Sequence, residues 1–456
     1  MRDLALILIV VTSLPVIIWR PAIGIFMWAW LGYMNPHRLA WGVAYDFPFA
    51  QLVAIATLVG FVFYKDRGRL PVSGITVSLI FFAFWMTLST VFSIYPENAW
   101  LGWDKAIKIQ LFTILTIVLM QEARYLKTLV WIIVVSLGFY GVKGGVFSLA
   151  TGGNYLVWGP ERSFIGDNNS LALALLMTVP LMRFCQLQLT QRYARLIMGG
   201  AIILTIISIF TTHSRGALVG ASAMVLYSWW KARNNRIIGI VAIAILVVGV
   251  FQVMPERWFD RMSSIAEYDQ DESAMGRINA WWFAFNLAVD KPFVGGGFEV
   301  FTPELFLRYA PQPEDYHDAH SVYFEVLAEQ GFVGLMLFLS IGFLAFRLAG
   351  RLAKIDAGSS SQIWISQLAA MIRVSIVGYA VTGAFLGLAY FDLYYQLVGI
   401  LVVMDLLAKK DTRQMSDPVS TGRDEGGGRK FAPHQPVPPQ RQIGMMSGVT
   451  TAKRNN

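Results

Sequence analysis

Residues 318–347 read DAHSVYFEVLAEQGFVGLMLFLSIGFLAFR, passing from an acidic polar stretch through a long apolar run to a basic end. At ~1.5 Å of rise per helical residue, the apolar part is long enough to cross a hydrocarbon core of about 30 Å. Comparable runs occupy residues 3–19, 47–64, 72–93, 106–121, 129–150, 170–187, 196–212, 215–231, 236–253, 321–347, 363–389 and 391–408. They are continuous rather than alternating, which excludes the dyad pattern of a barrel strand and leaves helices as the spanning solution. The expected fold class is therefore an all-α polytopic membrane protein with about twelve transmembrane helices. A shorter apolar piece, Ile23 to Tyr33, either crosses or lies re-entrant. The first run follows Arg2 but no small-residue cleavage site succeeds it, so it reads as an uncleaved span.

Composition agrees: 55% of residues are hydrophobic, 14% are charged, and the mean hydropathy is +0.53, too apolar for a soluble domain. Lys and Arg set the orientation, because cytoplasmic connections hold them in excess. Lys65, Arg67 and Arg69 mark one inner connection, followed by Arg124 with Lys127, Arg183 to Arg195, Lys231 to Arg236, Arg347 to Lys354, and Lys409 to Arg413. Residues 94–105, 151–169, the turn at Thr212 to Arg215, and a long loop up to His320 then fall outside. The chain divides into an N-terminal transmembrane bundle (1–253), an outer loop (254–320), C-terminal transmembrane helices (321–408) and a disordered cytoplasmic tail (409–456), the last rich in Gly, Pro, Ser and Arg.

The formal charge of +8 resides largely in the inner connections and the tail, while the outer loop between Pro255 and Ala319 holds twelve acids against five bases. Nucleic acid is not an expected partner; membrane lipid is. A single cysteine, Cys185, removes intramolecular disulfides and cysteine metal clusters. No Gly-rich P-loop is present, so energy must come from an activated substrate or an ion gradient. The two halves lack convincing internal similarity and the spans carry few carboxylates, both of which weaken a transporter reading.

Polar candidates gather on the outer side. Arg162 lies in GPERSFIGDNN (159–169), Arg215 in HSRGA (213–217), and Arg277 in RINAWW (277–282). Arginine offers a planar fork of donors suited to phosphate oxygens, although one at a span end more often snorkels to headgroups. Residues 277–289 read as an aromatic-rich interfacial helix, and Arg308 reads as a surface residue. Gly295 to Gly297 suit a sharp turn. Glu314, Asp315, His317 and Asp318 form the one plausible metal set, but solvated acidic loops look the same.

Arg-x-x-x-Trp (Arg277, Trp281), Pro-x-x-Gly-x-Gly (Pro292, Gly295, Gly297) and His-Ser-x9-Gly-x-x-Gly (His320, Ser321, Gly331, Gly334) together resemble the bacterial O-antigen ligase and polymerase superfamily. Residues 214–217 and 162–169 fit the pattern, and the resemblance extends from about Arg162 to Asp392. The N-terminal stretch, with Trp19-Arg20-Pro21 and Asn35-Pro36-His37-Arg38, is similar to a subgroup described as O-glycosylation ligases.

This resemblance implies a GT-C-type, inverting, metal-independent glycosyltransferase with no cofactor. Its donor would be a polysaccharide on undecaprenyl pyrophosphate and its acceptor a lipid A-core sugar, at the periplasmic face of the inner membrane. His320 would act as general base, and Arg215, Arg277 and Arg162 would hold the pyrophosphate. Asp392, His213 and Ser321 would support them, Asp392 by orienting His320 or pairing with an arginine. An O-antigen polymerase and a protein O-glycosylation ligase are compatible with the same residues; a polysaccharide flippase is the alternative from another class.

Overall fold

The structure, a computed structural model, describes residues 2–231, 272–355 and 360–416. Among these, all regular structure is helical. Helices α1 (Arg2–Trp19), α2 (Pro21–Met34), α3 (Phe49–Phe63), α4 (Gly74–Val91), α5 (Pro96–Leu119), α6 (Ala123–Thr151), α7 (Asn168–Gln188), α8 (Arg192–Thr211) and α9 (Arg215–Lys231) form the first half. Then come α10 (Glu272–Asp290), α11 (Pro303–Tyr309), α12 (Val322–Leu352), α13 (Ser360–Thr382) and α14 (Asp392–Ser416).

Local chemistry sets several boundaries. The Ser73 hydroxyl and Thr76 make reciprocal bonds that start α4, and the Asp167 carboxylate accepts the Asn169 and Ser170 amides that start α7. Pro is the first residue of α2, α5 and α11, where its missing N–H costs nothing. Gly152 closes α6 in a left-handed conformation.

Among the described residues, seven segments are long and apolar enough to cross a membrane: α1, α4, α6, α7, α8, α12 and residues 362–385. The chain is a polytopic membrane protein. Of its most apolar window, α7 buries 78%, against 17% for α1 and 22% for α8, so α7 is the central helix and the other two are peripheral.

The structure refines several expectations in detail. The piece from Ile23 to Tyr33 is a continuous 14-residue helix, α2: Ala22 near its start lies with Trp19, Tyr64 and Glu122, and the Met34 carbonyl at its end accepts the Tyr140 hydroxyl of α6. Helix α5 begins at Pro96, so residues 96–105 are helical rather than loop. Its charged first turns are accommodated by Lys108 on Asp104 (2.6 Å) and Lys105 on Glu299 (4.0 Å). Helix α14 continues to Ser416, past the expected start of the tail. Residues 1–412 form one compact unit. The span expected at 236–253 lies outside the described residues, as does most of the tail.

The basic connections gather at one end of the bundle. Gln121 donates to the Arg69 carbonyl, Gln188 to Gln367 and Ser366 to the Ala353 carbonyl, while Arg347, Arg351 and Lys409 surround Ser73. At the opposite end lie Arg2 with Leu39, Asp3 with Gly42, Asn168 with Thr212, and Ile94 with Gly296.

Helices α10 and α11 build a small core at that second end. Ala280, Phe283, Ala284 and Leu287 bury one face of α10 against Phe306, Tyr309 and Ala328, with Phe283 stacked on Phe306 at 4.3 Å. Burying Phe283, Leu287 and Phe306 contributes about 1.5–3 kcal/mol each. The opposite face presents Trp282, Phe285 and Val289, exposed at an i, i+3, i+7 spacing as an interfacial helix requires.

Candidate functional site

Helix α12 is broken at Gly331, whose φ of 67° and ψ of −173° are open to glycine and closed to other residues. A break frees backbone carbonyls, which must find donors when buried. The Gly296 amide donates to the Ala328 carbonyl (2.8 Å), the Gly297 amide to Glu329 (3.0 Å), and the Trp85 indole to Gln330 (3.0 Å). The Ser89 hydroxyl lies 2.7 Å from both the Glu329 and Val294 carbonyls. In return the Phe332 amide donates to the Pro292 carbonyl (2.9 Å). The two glycine motifs are thus one device: the 292–297 loop is inserted into the break. A Cβ on Gly331 would lie 2.3 Å from the Phe293 carbonyl oxygen, and one on Gly295 would lie 2.5 Å from the Gly331 nitrogen. The nine residues between Ser321 and Gly331 are a half-helix, residues 322–330.

His320 sits immediately before that half-helix with a left-handed φ of 42°, and Ser321, buried, occupies the N-cap position. The preceding carbonyl, Ala319, accepts the Trp281 indole N–H at 2.9 Å, and the Trp281 ring stacks on Phe324 at 5.0 Å. Anchoring Trp281 in this way brings Arg277, one turn earlier on α10, into range of the imidazole. Burial and then the Arg277 cation hold the His320 pKa below the ordinary 6.5; Asp318 and, more weakly, Asp167 oppose this, and His317 adds to it. A neutral imidazole beside a guanidinium can accept a proton from a hydroxyl while the cation attends to an anion.

Asn279 holds the rest of the loop to α10. Its amide donates to the Gln312 and Asp315 carbonyls (2.7 and 2.9 Å) and its oxygen accepts the Gln312 amide (2.9 Å). Within the expected metal set, His317 pairs with Asp315 at 2.8 Å; among the described residues, no three potential ligands converge.

Arg215 is the first residue of α9, whose Ser214 hydroxyl accepts the Ala217 amide. His213, buried and also left-handed, precedes it. The Asn168 amide donates to the Thr212 carbonyl at 2.8 Å, tying residues 159–169 to this turn, and Asp167 beside it is felt by His320. Gly216 abuts Phe385 and Gly383 abuts Val322, so residues 383–387 bridge Arg215 to the His320 element.

The structure therefore gathers His320, Ser321 and Arg277, and links Arg215 and His213 to them through packing. Arg162 and Asp392 are placed differently. Arg162 is exposed, 3.5 Å from Asp46 and over the Tyr45 ring at 6.0 Å. Asp392 opens α14 against α2, where a methyl on Gly32 would lie 3.6 Å from its Oδ2.

Two residues escaped the sequence reading. Glu325 and Glu329 lie on the half-helix, where Glu325 accepts the Ala389 amide (3.0 Å) and Glu329 accepts the Tyr390 hydroxyl (2.8 Å) and the Glu299 amide (3.1 Å). The signal was two acids four residues apart inside an apolar run, a costly placement in a span.

Residues 200–339 match the family described as O-antigen ligase, a range that contains Arg215, Arg277 and His320. Residues 1–190 match a family of unknown function (DUF5935), a range that contains Arg162. No curated protein matches the chain.

Proposed function

We propose that the chain, whose residues 200–339 match the O-antigen ligase family, is a glycosyltransferase of the ligase type, moving a polysaccharide from undecaprenyl pyrophosphate to a lipid A-core sugar. The observation that carries this reading is that Trp281, anchored on the Ala319 carbonyl, brings Arg277 near His320 at the start of the broken helix, inside the matched segment. His320 takes the proton of the acceptor hydroxyl, whose oxygen attacks the anomeric carbon from the face opposite the leaving group. The carbon–oxygen bond to pyrophosphate breaks, its electron pair leaves with undecaprenyl pyrophosphate, and the configuration inverts. Arg215 and Arg277 hold the phosphates and stabilise the charge developing on them. His213 and Ser321 support the site, whereas Arg162, held at Asp46, and Asp392, packed against α2, lie apart from it. The activated donor makes ATP unnecessary.

The same reading assigns the chain a GT-C architecture of about twelve spans in the bacterial inner membrane. The basic end then faces the cytoplasm and the His320 end the periplasm. The test is to offer one defined undecaprenyl-linked glycan to lipid A core, to a second lipid-linked unit and to a periplasmic protein side by side. Transfer to the core is expected. Transfer to the second unit would make the chain a polymerase, transfer to protein an O-glycosylation ligase, and movement without a new glycosidic bond a transporter.

Arg215→Ala and Arg277→Ala are expected to lower donor affinity and turnover together, because the contacts strengthen as the leaving group gains charge. Lysine at either position restores only part, lacking the bidentate fork. Donor binding and turnover at the parent level in both alanine variants would return these arginines to span-end snorkelling. Transfer is also expected to survive excess EDTA, since guanidinium groups supply the charge a metal would otherwise provide. Loss on chelation with recovery on Mg²⁺ or Mn²⁺ would move the chemistry to Glu314, Asp315, His317 and Asp318.

A further inference from the structure

Residues 383–391, joining α13 to α14, lie between the proposed phosphate-holding arginine and the proposed base. On the arginine side, a methyl on Gly216 would sit 3.1 Å from Phe385 Cβ. On the base side, a methyl on Gly387 would sit 3.7 Å from the His320 amide nitrogen and 3.5 Å from Glu325 Oε2. The connection has little regular structure of its own, so its position depends on side chains that grip it.

Two of those grips come from one helix face. Glu325 and Glu329, four residues apart on the half-helix, bind consecutive residues of the connection, the Ala389 amide at 3.0 Å and the Tyr390 hydroxyl at 2.8 Å. Glu329 also binds the Glu299 amide, joining the connection to the loop that enters the helix break. Two carboxyl groups buried this close are costly, and hydrogen bonds offset only part of that cost. Apolar residues would pack the half-helix more stably. A role that needs directed acceptors explains their presence.

His320 supplies the need. Its left-handed backbone costs a non-glycine residue about 1–3 kcal/mol and persists only where surrounding contacts over-determine it. Trp281 holds Ala319 from one side, and the gripped connection packs against the His320 backbone from the other.

We infer that Glu325 and Glu329 are positioning residues for His320: they clamp residues 383–391 between Arg215 and His320, and so set the base relative to the pyrophosphate site. This rests on His320 being the base.

The test is steady-state transfer by the purified full-length protein with a defined undecaprenyl-linked glycan and acceptor. Glu325→Ala is expected to lower kcat about 10–100-fold with donor KM within about threefold, the size of loss that a misplacement of about 1 Å produces. Glu325→Gln keeps an oxygen that accepts the Ala389 amide and is expected to stay within about threefold of the parent. Tyr390→Phe removes the grip on Glu329 without changing packing and is expected to lower kcat several-fold.

The pH profile adds a readout that a purely structural role would leave unmoved. The charges facing His320 are Arg277 on α10, His317 and Asp318 in its own loop, and Asp167 at the start of α7, and all remain in these variants. A loosened connection admits water, so the acid limb moves up toward the ordinary imidazole value in Glu325→Ala and stays in place in Glu325→Gln. The clamp is overturned if Glu325→Ala turns over like the parent, if Glu325→Gln is as inactive as Glu325→Ala, or if the loss lies in donor KM. Should Glu325→Ala fail to insert, unchanged kcat in Tyr390→Phe, or inactivity in Glu325→Gln, overturns it equally. His320→Ala run alongside separates the two readings, because parent-level activity there removes the base itself and not the clamp.

Discussion

Replacing His320 by alanine is expected to lower glycosyl transfer by about 100- to 10,000-fold while leaving membrane insertion and donor binding intact, since a general base acts on the acceptor proton and not on the pyrophosphate. The side chain is half-buried at the entrance to α12, and the neighbouring backbone is held by Trp281 rather than by the imidazole, so its removal leaves the scaffold in place. The pH dependence follows from the sign of the shift. Burial and Arg277 lower the His320 pKa from 6.5, so the imidazole is neutral at pH 7 and takes up its proton only in more acidic solution. Transfer should be flat around neutrality and fall as the pH drops through that lowered value. Arg277→Ala removes a lowering cause and should move the acid limb upward in whatever activity remains. A properly inserted His320→Ala protein that retained most of its activity would end the base assignment.

The second large effect is on the scaffold. Gly331→Ala is expected to prevent α12 from adopting its break, because the residue occupies a backbone region reserved for glycine, at a cost of about 1–3 kcal/mol before any clash is counted. The added methyl would then meet the Phe293 carbonyl at 2.3 Å, a backbone atom with no rotamer in which to move aside. If α12 straightens, the amides of Gly296 and Gly297, Trp85 and Ser89 lose their acceptors together. The measurement is the yield and thermal midpoint of detergent-solubilised protein, with Gly200→Ala as control. Gly200 lies in α8 with nothing within 4 Å of an added methyl, and alanine there should be neutral or slightly stabilising. Equal midpoints for the two variants would mean that the break tolerates a side chain.

Fold class and the family pattern were legible in the chain because they depend on local quantities. Continuous apolar runs bounded by basic connections require membrane helices whatever their neighbours. Arg277, Trp281, His320 and the glycine spacings can be read as a pattern without knowing where they lie in space. The aromatic periodicity of residues 277–289 likewise anticipated α10, since opposite faces of the one helix carry its core and its exposed stripe. Charged residues in the first turns of α5 hid its start at Pro96, because hydropathy does not register a helix that emerges into a polar environment.

What only the tertiary structure decided concerns groups that meet across long stretches of sequence. Trp85 and Ser89 satisfy carbonyls about 240 residues away, and such backbone pairings leave no periodicity. The nine-residue spacing after Ser321 acquires its meaning as a half-helix only once the 292–297 loop is seen inside α12. Arg162 fits the sequence pattern as well as Arg277 does, yet it pairs with Asp46 on the surface, and Asp392 packs against α2. Glu325 and Glu329 were visible as letters in an apolar run, but a carboxylate's role depends on which amide or hydroxyl it grips, and those partners belong to the connection beyond α13.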